Sequence, residues 1–288
     1  MSGNKSLRRT ALLLTAMAVL AVLVPTALAA DATVDADSGL PAFLSDGDGN
    51  DSLELLTFFL FFVGYISMGA AFVFFMSERN NVAPEYRTTM TISALIVGIA
   101  AFHYYYMRGV YVDTQVVSTE YRYMDWIITV PLMALKFPSL VGKDAITDKT
   151  FAGLGFTGIC FVGAIIMIGF GYLGEADLMD ETIALLLGGM GWAMIMVATG
   201  LPFGLFGGLG VDDSKIKEEV KWSTDALRTF ILVGWIIYPL GYLFNENTYD
   251  LGSEEVMGVL YNIADMINKI GFGVVAWMGA KKATAAMA

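Results

Sequence analysis

From Leu53 onward, apolar residues run in blocks of about 20, the length an α-helix needs to cross a bilayer. Short polar stretches separate them. The pattern predicts spans at Leu53–Met76, Met90–Val112, Tyr121–Leu140, Phe151–Leu173, Thr182–Phe206, Trp222–Phe244 and Val256–Ala280. Short connections make consecutive helices antiparallel neighbours. The expected fold is therefore an all-α membrane protein, a seven-transmembrane-helix bundle over residues 52–282 with a short tail at 283–288.

Ahead of the bundle, residues 1–30 have the layout of a secretory signal peptide: Lys5, Arg8 and Arg9, an apolar run from Ala11 to Val24, then small residues at Ala27-Leu28-Ala29. An uncleaved first span is the alternative. Residues 31–51 are acidic and rich in Gly and Ser, as in a mobile extracellular tail. Basic residues set the orientation. Arg79 and Arg87, Lys143 and Lys149, Lys215, Lys217 and Lys221, and Lys281 and Lys282 mark one side. Glu175, Asp177, Asp180 and Glu181, and Glu246, Asp250, Glu254 and Glu255, mark the other. The expected topology has the N-terminus outside and the C-terminus in the cytoplasm, in the cell (plasma) membrane.

Polar residues inside two spans carry the chemistry. In the seventh, Asp265 and Lys269 stand four residues apart on one helix face. Each ionisable group there costs at least ~2.5–3.5 kcal/mol, so such groups are paired and usually functional. A buried lysine can form a structural ion pair, or its amine can condense with an aldehyde as a Schiff base. In the third span Arg122, Asp125, Thr129 and Lys136 share a stripe; Asp125 and Lys136 differ by about 20° around the axis and stand ~16 Å apart along it. Titratable groups above and below a central site, with a dry gap between, are what a proton path needs.

Composition narrows the classes. At 288 residues and 56% hydrophobic, with mean hydropathy +0.63, the chain is too apolar for a soluble domain. A net charge of −11 with no basic stripe argues against nucleic acid. One cysteine, Cys160, and one histidine, His103, exclude an internal disulfide framework and a multi-histidine or cysteine metal centre, so no metal is expected. No glycine loop sits in strand–loop–helix context for phosphate.

The run Arg122-Tyr-Met-Asp-Trp-Ile-Ile-Thr-Val-Pro-Leu, with Asn262-Ile-Ala-Asp-Met-Ile-Asn-Lys269, resembles the microbial (type 1) rhodopsins, specifically proteorhodopsin-like light-driven proton pumps. Phe102-His-Tyr-Tyr-Tyr-Met-Arg108 and Trp235-Ile-Ile-Tyr-Pro239 share that similarity, which touches every span from the second to the seventh. The resemblance implies an ion transporter rather than an enzyme, with all-trans retinal as a protonated Schiff base on Lys269. Asp125 would be the main counterion and proton acceptor, Asp265 the second carboxylate, and Arg122 a modulator from the extracellular side. His103 would hydrogen-bond Asp125. Trp126, Trp235, Tyr238 and Pro239 would wall the polyene, and Met133 would tune colour as in green-absorbing members. Partners would be membrane lipid, protons and further copies of the chain in a homo-oligomer.

Departures from the family pattern are informative. The usual cytoplasmic donor is a glutamate; here it is Lys136, as in a minority of related pumps, and a lysine can donate if it rests neutral. A sodium pump would be expected to carry asparagine at 125, aspartate at 129 and glutamine at 136, and an inward chloride pump lacks the carboxylate at 125. Leu185 stands where carotenoid-binding relatives have glycine, which argues against an antenna pigment. The alternatives are a photosensory rhodopsin signalling to a partner and a retinal-free transporter bridged by Asp265 and Lys269.

Overall fold

The computed structural model describes residue 44 and residues 51–147, 152–202 and 209–288. The expected leader at 1–30 lies outside them, as does the expected tail at 31–51 apart from Leu44 and Asp51. Leu44 is buried in the core, and Asp51 already opens the first helix.

Helices α1 (Asp51–Glu78), α2 (Arg87–Thr114), α3 (Thr119–Val141), α4 (Phe156–Glu175) and α5 (Glu181–Thr199) form five rods. The sixth is α6 (Glu218–Leu232) and α7 (Ile237–Tyr242), joined through a 3₁₀ turn at Gly234–Ile236. The seventh is α8 (Glu254–Asp265) and α9 (Phe272–Ala285), joined through a π turn at Met266–Gly271. The described residues thus form the expected seven-helix bundle. Six of its rods are long and apolar enough to cross a membrane. The sixth falls short because it is broken and starts with the polar turn Glu218-Glu219-Val220-Lys221.

Both breaks have local causes and consequences. Pro239 lacks an N–H and crowds the carbonyl four residues earlier, at Trp235, so the ladder loosens one turn before it. Beside this break the Gly234 carbonyl accepts from Asn268 Nδ2 at 2.9 Å, and Ile231 O accepts from Trp192 Nε1 at 2.8 Å. The π turn includes Lys269 and inserts an extra residue into the ladder where the amine leaves the helix.

Three predicted boundaries shift by five residues or more, the seventh span running to Ala285 rather than Ala280. The fourth span was expected from Phe151, which lies outside the described residues; α4 starts at Phe156 because Ala152 and Gly153 turn left-handed at φ 50° and 80°. The fifth was expected to reach Phe206, also outside them. Helix α5 ends at Thr199, where Gly200 at φ 84° caps it and Pro202 follows. Glu175, expected in an outer loop, is the last residue of α4 and fully buried.

Helices α3 and the seventh rod are buried along most of their length, and α1 least. Phe59, Phe102, Ile128, Phe161 and Leu186 are exposed on the outer faces, as lipid requires. Helices α4 and α5 meet through Gly163 and Gly191: a Cβ on Gly163 would stand 2.8 Å from the Gly191 carbonyl oxygen. Close approach through small residues takes the place of a hydrophobic driving force inside lipid. At the basic end, Arg228 is buried and ties three segments together. It donates to Thr199 O at 2.7 Å, to both oxygens of Asp213 at 2.6 and 3.1 Å, and to Asp225 at 3.2 Å.

Candidate functional site

Helix α3 and the seventh rod bring the predicted charges together. Lys269 Nζ donates to Asp125 Oδ2 and, at 2.9 Å, to Asp265 Oδ2. All three residues are at most 1% exposed. Spacing alone left Asp265–Lys269 as a possible pair; the fold supplies Asp125 from another helix.

The two carboxylates are held differently. Asp265 accepts from Trp126 Nε1 at 3.1 Å, Tyr238 OH at 2.8 Å and Tyr104 OH at 3.0 Å, besides Lys269. Asp125 has Lys269 on one oxygen, and Oδ1 has no hydrogen-bond partner. Asp265 is thus held by four donors, while Asp125 keeps one oxygen without a donor.

Other predicted residues stand nearby in altered roles. His103 does not make the expected hydrogen bond. Its Nδ1 is 3.9 Å from Asp125 Oδ1, too far, and pairs instead with Ile99 O at 3.0 Å. A carbonyl only accepts, so that nitrogen carries the hydrogen, and His103 faces Asp125 as a polar neighbour. Thr129 likewise bonds its own helix, donating to the Asp125 carbonyl at 3.0 Å. Arg122 is buried, donates to Asn262 Oδ1 at 3.2 Å and lies 5.0 Å from the Tyr261 ring centroid; its Nε and Nη1 have no partner. Lys136 stands apart from the cluster: it is fully buried, its Nζ has no hydrogen-bond partner, and it lies 4.7 Å from the centre of the Phe272 ring.

Lys269 is among the residues that line an apolar cavity inside the bundle. Trp126, Met133, Trp235, Tyr238 and Pro239, all expected around a polyene, line it together with Met167, Trp192 and Leu185. Tyr104, Asn268, Tyr261 and Glu175 were given no role from the sequence. Tyr104 and Asn268 adjoin His103 and Lys269 within the quoted motifs, and that adjacency was the available signal.

The bacteriorhodopsin-like protein family matches residues 55–283. The chain belongs to that family. The green-light absorbing proteorhodopsin of Gamma-proteobacterium EBAC31A08 is 34% identical over 244 residues, covering 84% of this chain and 93% of its own. The blue-light absorbing proteorhodopsin of Gamma-proteobacterium Hot 75m4 is 35% identical over 251 residues, with the same coverage. Xanthorhodopsin, a light-driven ion pump with a dual chromophore, superposes with a TM-score of 0.68 at 26% identity, over 82% of this chain and 96% of its own. The chain is a multi-pass protein of the cell membrane, and its family implies a retinal chromophore. The cavity fits one: it is apolar, walled by Trp126, Trp192 and Trp235, and lined by Lys269. Among the described residues no cluster of three or more His, Cys, Asp or Glu could hold a metal.

Proposed function

We propose that this chain is a light-driven pump that moves protons outward across the cell membrane, with retinal held as a Schiff base at Lys269 Nζ. The observation that carries the reading is the unequal counterion pair: Asp265 saturated by four donors, Asp125 with an open oxygen. Retinal bound there supplies light absorption and an isomerisation that reorients the proton on Nζ.

The residues do the rest. Asp125 takes the proton from Nζ, because Oδ2 already contacts that nitrogen and Oδ1 has no competing donor. Asp265 keeps its place, held by Tyr104, Trp126 and Tyr238. Arg122, one helical turn from Asp125, supplies positive charge on the outer side. Thr129 fixes the backbone at Asp125. Lys136, buried without a hydrogen-bond partner, returns a proton to Nζ from the inner side. Met133 in the cavity wall sets colour.

The same proposal takes residues 1–30 as a cleaved leader and residues 31–51 as an outer tail, with the basic loops cytoplasmic. It also includes homo-oligomers, for which the lipid-facing groove beside His103, between Gly69 and Gly98, supports close helix approach.

Adding all-trans retinal to the expressed chain tests the chromophore and the acceptor together. Lys269→Ala is expected to stay colourless, and Asp125→Asn to colour but not transport. Colour in Lys269→Ala would refute the attachment, and full transport in Asp125→Asn would refute the acceptor.

A further inference from the structure

Arg108 on α2 takes no part in the exchange described above, and its side chain forms no ion pair among the described residues. Its Nε is buried without an acceptor. Two rings hold the guanidinium instead. Its Cζ lies 5.1 Å from the ring centre of Tyr105, on the same helix, and 5.7 Å from that of Tyr65 on α1. The two rings meet edge to face at 5.8 Å. The clamp opens away from the bundle: Tyr105 is 52% exposed, and Phe62 and Tyr106, which pack on Tyr65 and Tyr105, are 41% and 46% exposed.

The depth of the clamp limits what can fill it. Arg108 lies one turn beyond Tyr104, whose OH donates to Asp265. It precedes Thr114, the last residue of α2, by six residues, or about 9 Å along the axis. With the basic loops cytoplasmic, this is the outer leaflet, between the level of the counterions and the headgroups. An unpaired cation at such depth is costly, and a long side chain relieves the cost by reaching toward the interface. Asp113 and Glu120, the acids nearest in sequence, form no ion pair with it. The tyrosines offer only ring faces and edges. The donors of a guanidinium fork match a bidentate oxyanion, and the oxyanion present at this depth is a lipid phosphate.

We propose that Arg108, clamped by Tyr65 and Tyr105, binds the phosphate of one outer-leaflet phospholipid, whose acyl chains lie over the exposed rings. An anionic headgroup such as phosphatidylglycerol suits the site best, because the clamp offers no carboxylate to a headgroup ammonium. The lipid bridges α1 and α2 beside Gly64, where a Cβ would stand 2.6 Å from the Tyr104 ring. It therefore braces the helix pair that keeps Tyr104 on Asp265. The groove proposed for contact between copies lies further inward, from Gly69 and Gly98 to His103. The lipid site does not depend on the direction of pumping, or on pumping at all.

The test uses the full chain loaded with retinal and purified in a mild detergent. Native mass spectrometry follows titration with phosphatidylglycerol, and with a galactolipid that has the same acyl chains and no phosphate. The unmodified chain is expected to hold one phosphatidylglycerol per chain, and to bind the galactolipid about tenfold more weakly or worse, the loss that follows from one missing hydrogen bond to a charged group. Arg108→Gln is expected to lose the same factor for phosphatidylglycerol. Arg108→Lys, which keeps the charge without the fork, and Tyr105→Leu, which opens the clamp at an exposed ring, should each lose part of it. Circular dichroism checks that the variants keep their helix content. Equal affinity for the two lipids, or phosphatidylglycerol held as tightly by Arg108→Gln, would overturn the proposal. Lipid bound by single chains but excluded from assemblies would overturn it too, and would make this face a contact between copies. The comparison of the two lipids on the unmodified chain decides even if a variant does not fold.

Discussion

Replacing Lys136 with methionine should stabilise the protein and slow its cycle in one step. The amine is fully buried with no hydrogen-bond partner; Ser139 bonds the Lys136 carbonyl, not the side chain. Burying such a group unpaired costs ~1–3 kcal/mol by protein mutational measures. Methionine keeps an unbranched chain that fills the same space without the amine. The gain is about 1–3 kcal/mol, or a thermal midpoint higher by roughly 2–12 °C for a domain of this size. Loss of a positioned proton donor should meanwhile slow recovery by about 10²–10⁴-fold. Thermal loss of visible absorbance gives the first quantity and flash spectroscopy the second. A lower midpoint would mean that the amine has a partner and that the burial argument is wrong. Unchanged recovery would remove Lys136 from the proton path.

Three further outcomes follow from the packing and the cavity. Gly191→Ala would place a Cβ against the Gly163 carbonyl and 2.5 Å from the Met167 nitrogen, so it should destabilise by at least ~1–3 kcal/mol. Gly169→Ala on α4 meets nothing within 4 Å and should be neutral or stabilising; equal thermal midpoints for the two would contradict the α4–α5 contact. Arg228→Met strips the partners from Thr199 O, Asp213 and Asp225. Because both aspartates keep some water, it should cost ~2–4 kcal/mol rather than the full ~3–5 of a buried pair, read as earlier chromophore loss on heating. Trp235→Ala opens the cavity wall and should slow pigment formation and lower its thermal midpoint, which titration with retinal would show.

Most of the fold was legible because a membrane imposes one strong rule. Apolar blocks of the right length must be helices, and short connections make them neighbours. What hydropathy misjudged were the blocks' ends. Gly153 and Gly200 stop helices inside apolar sequence, where a window sees only continuous hydrophobicity. The π turn at Lys269 leaves no trace in composition either, and the 3₁₀ turn is marked only by Pro239.

The site was legible wherever its residues lie in one span. The stripe Arg122, Asp125, Thr129 and Lys136 is indeed buried on α3, and Asp265 does meet Lys269. Contacts between spans were out of reach of periodicity. Tyr104 reaching Asp265 across 161 residues is set by packing, as are Tyr261 on Glu175 and the turn of His103 toward Ile99. Glu175 looked like a loop acid because it follows an apolar block and precedes Asp177 and Asp180. One more turn of helix makes it a buried group.

The claim that light drives protons outward through Asp125 is tested most directly by the pH of an unbuffered suspension of cells expressing the chain with all-trans retinal. Illumination is expected to acidify the medium, and a protonophore or Asp125→Asn should abolish the signal. Alkalinisation, or a coloured protein that leaves the pH unchanged in light, would contradict the account.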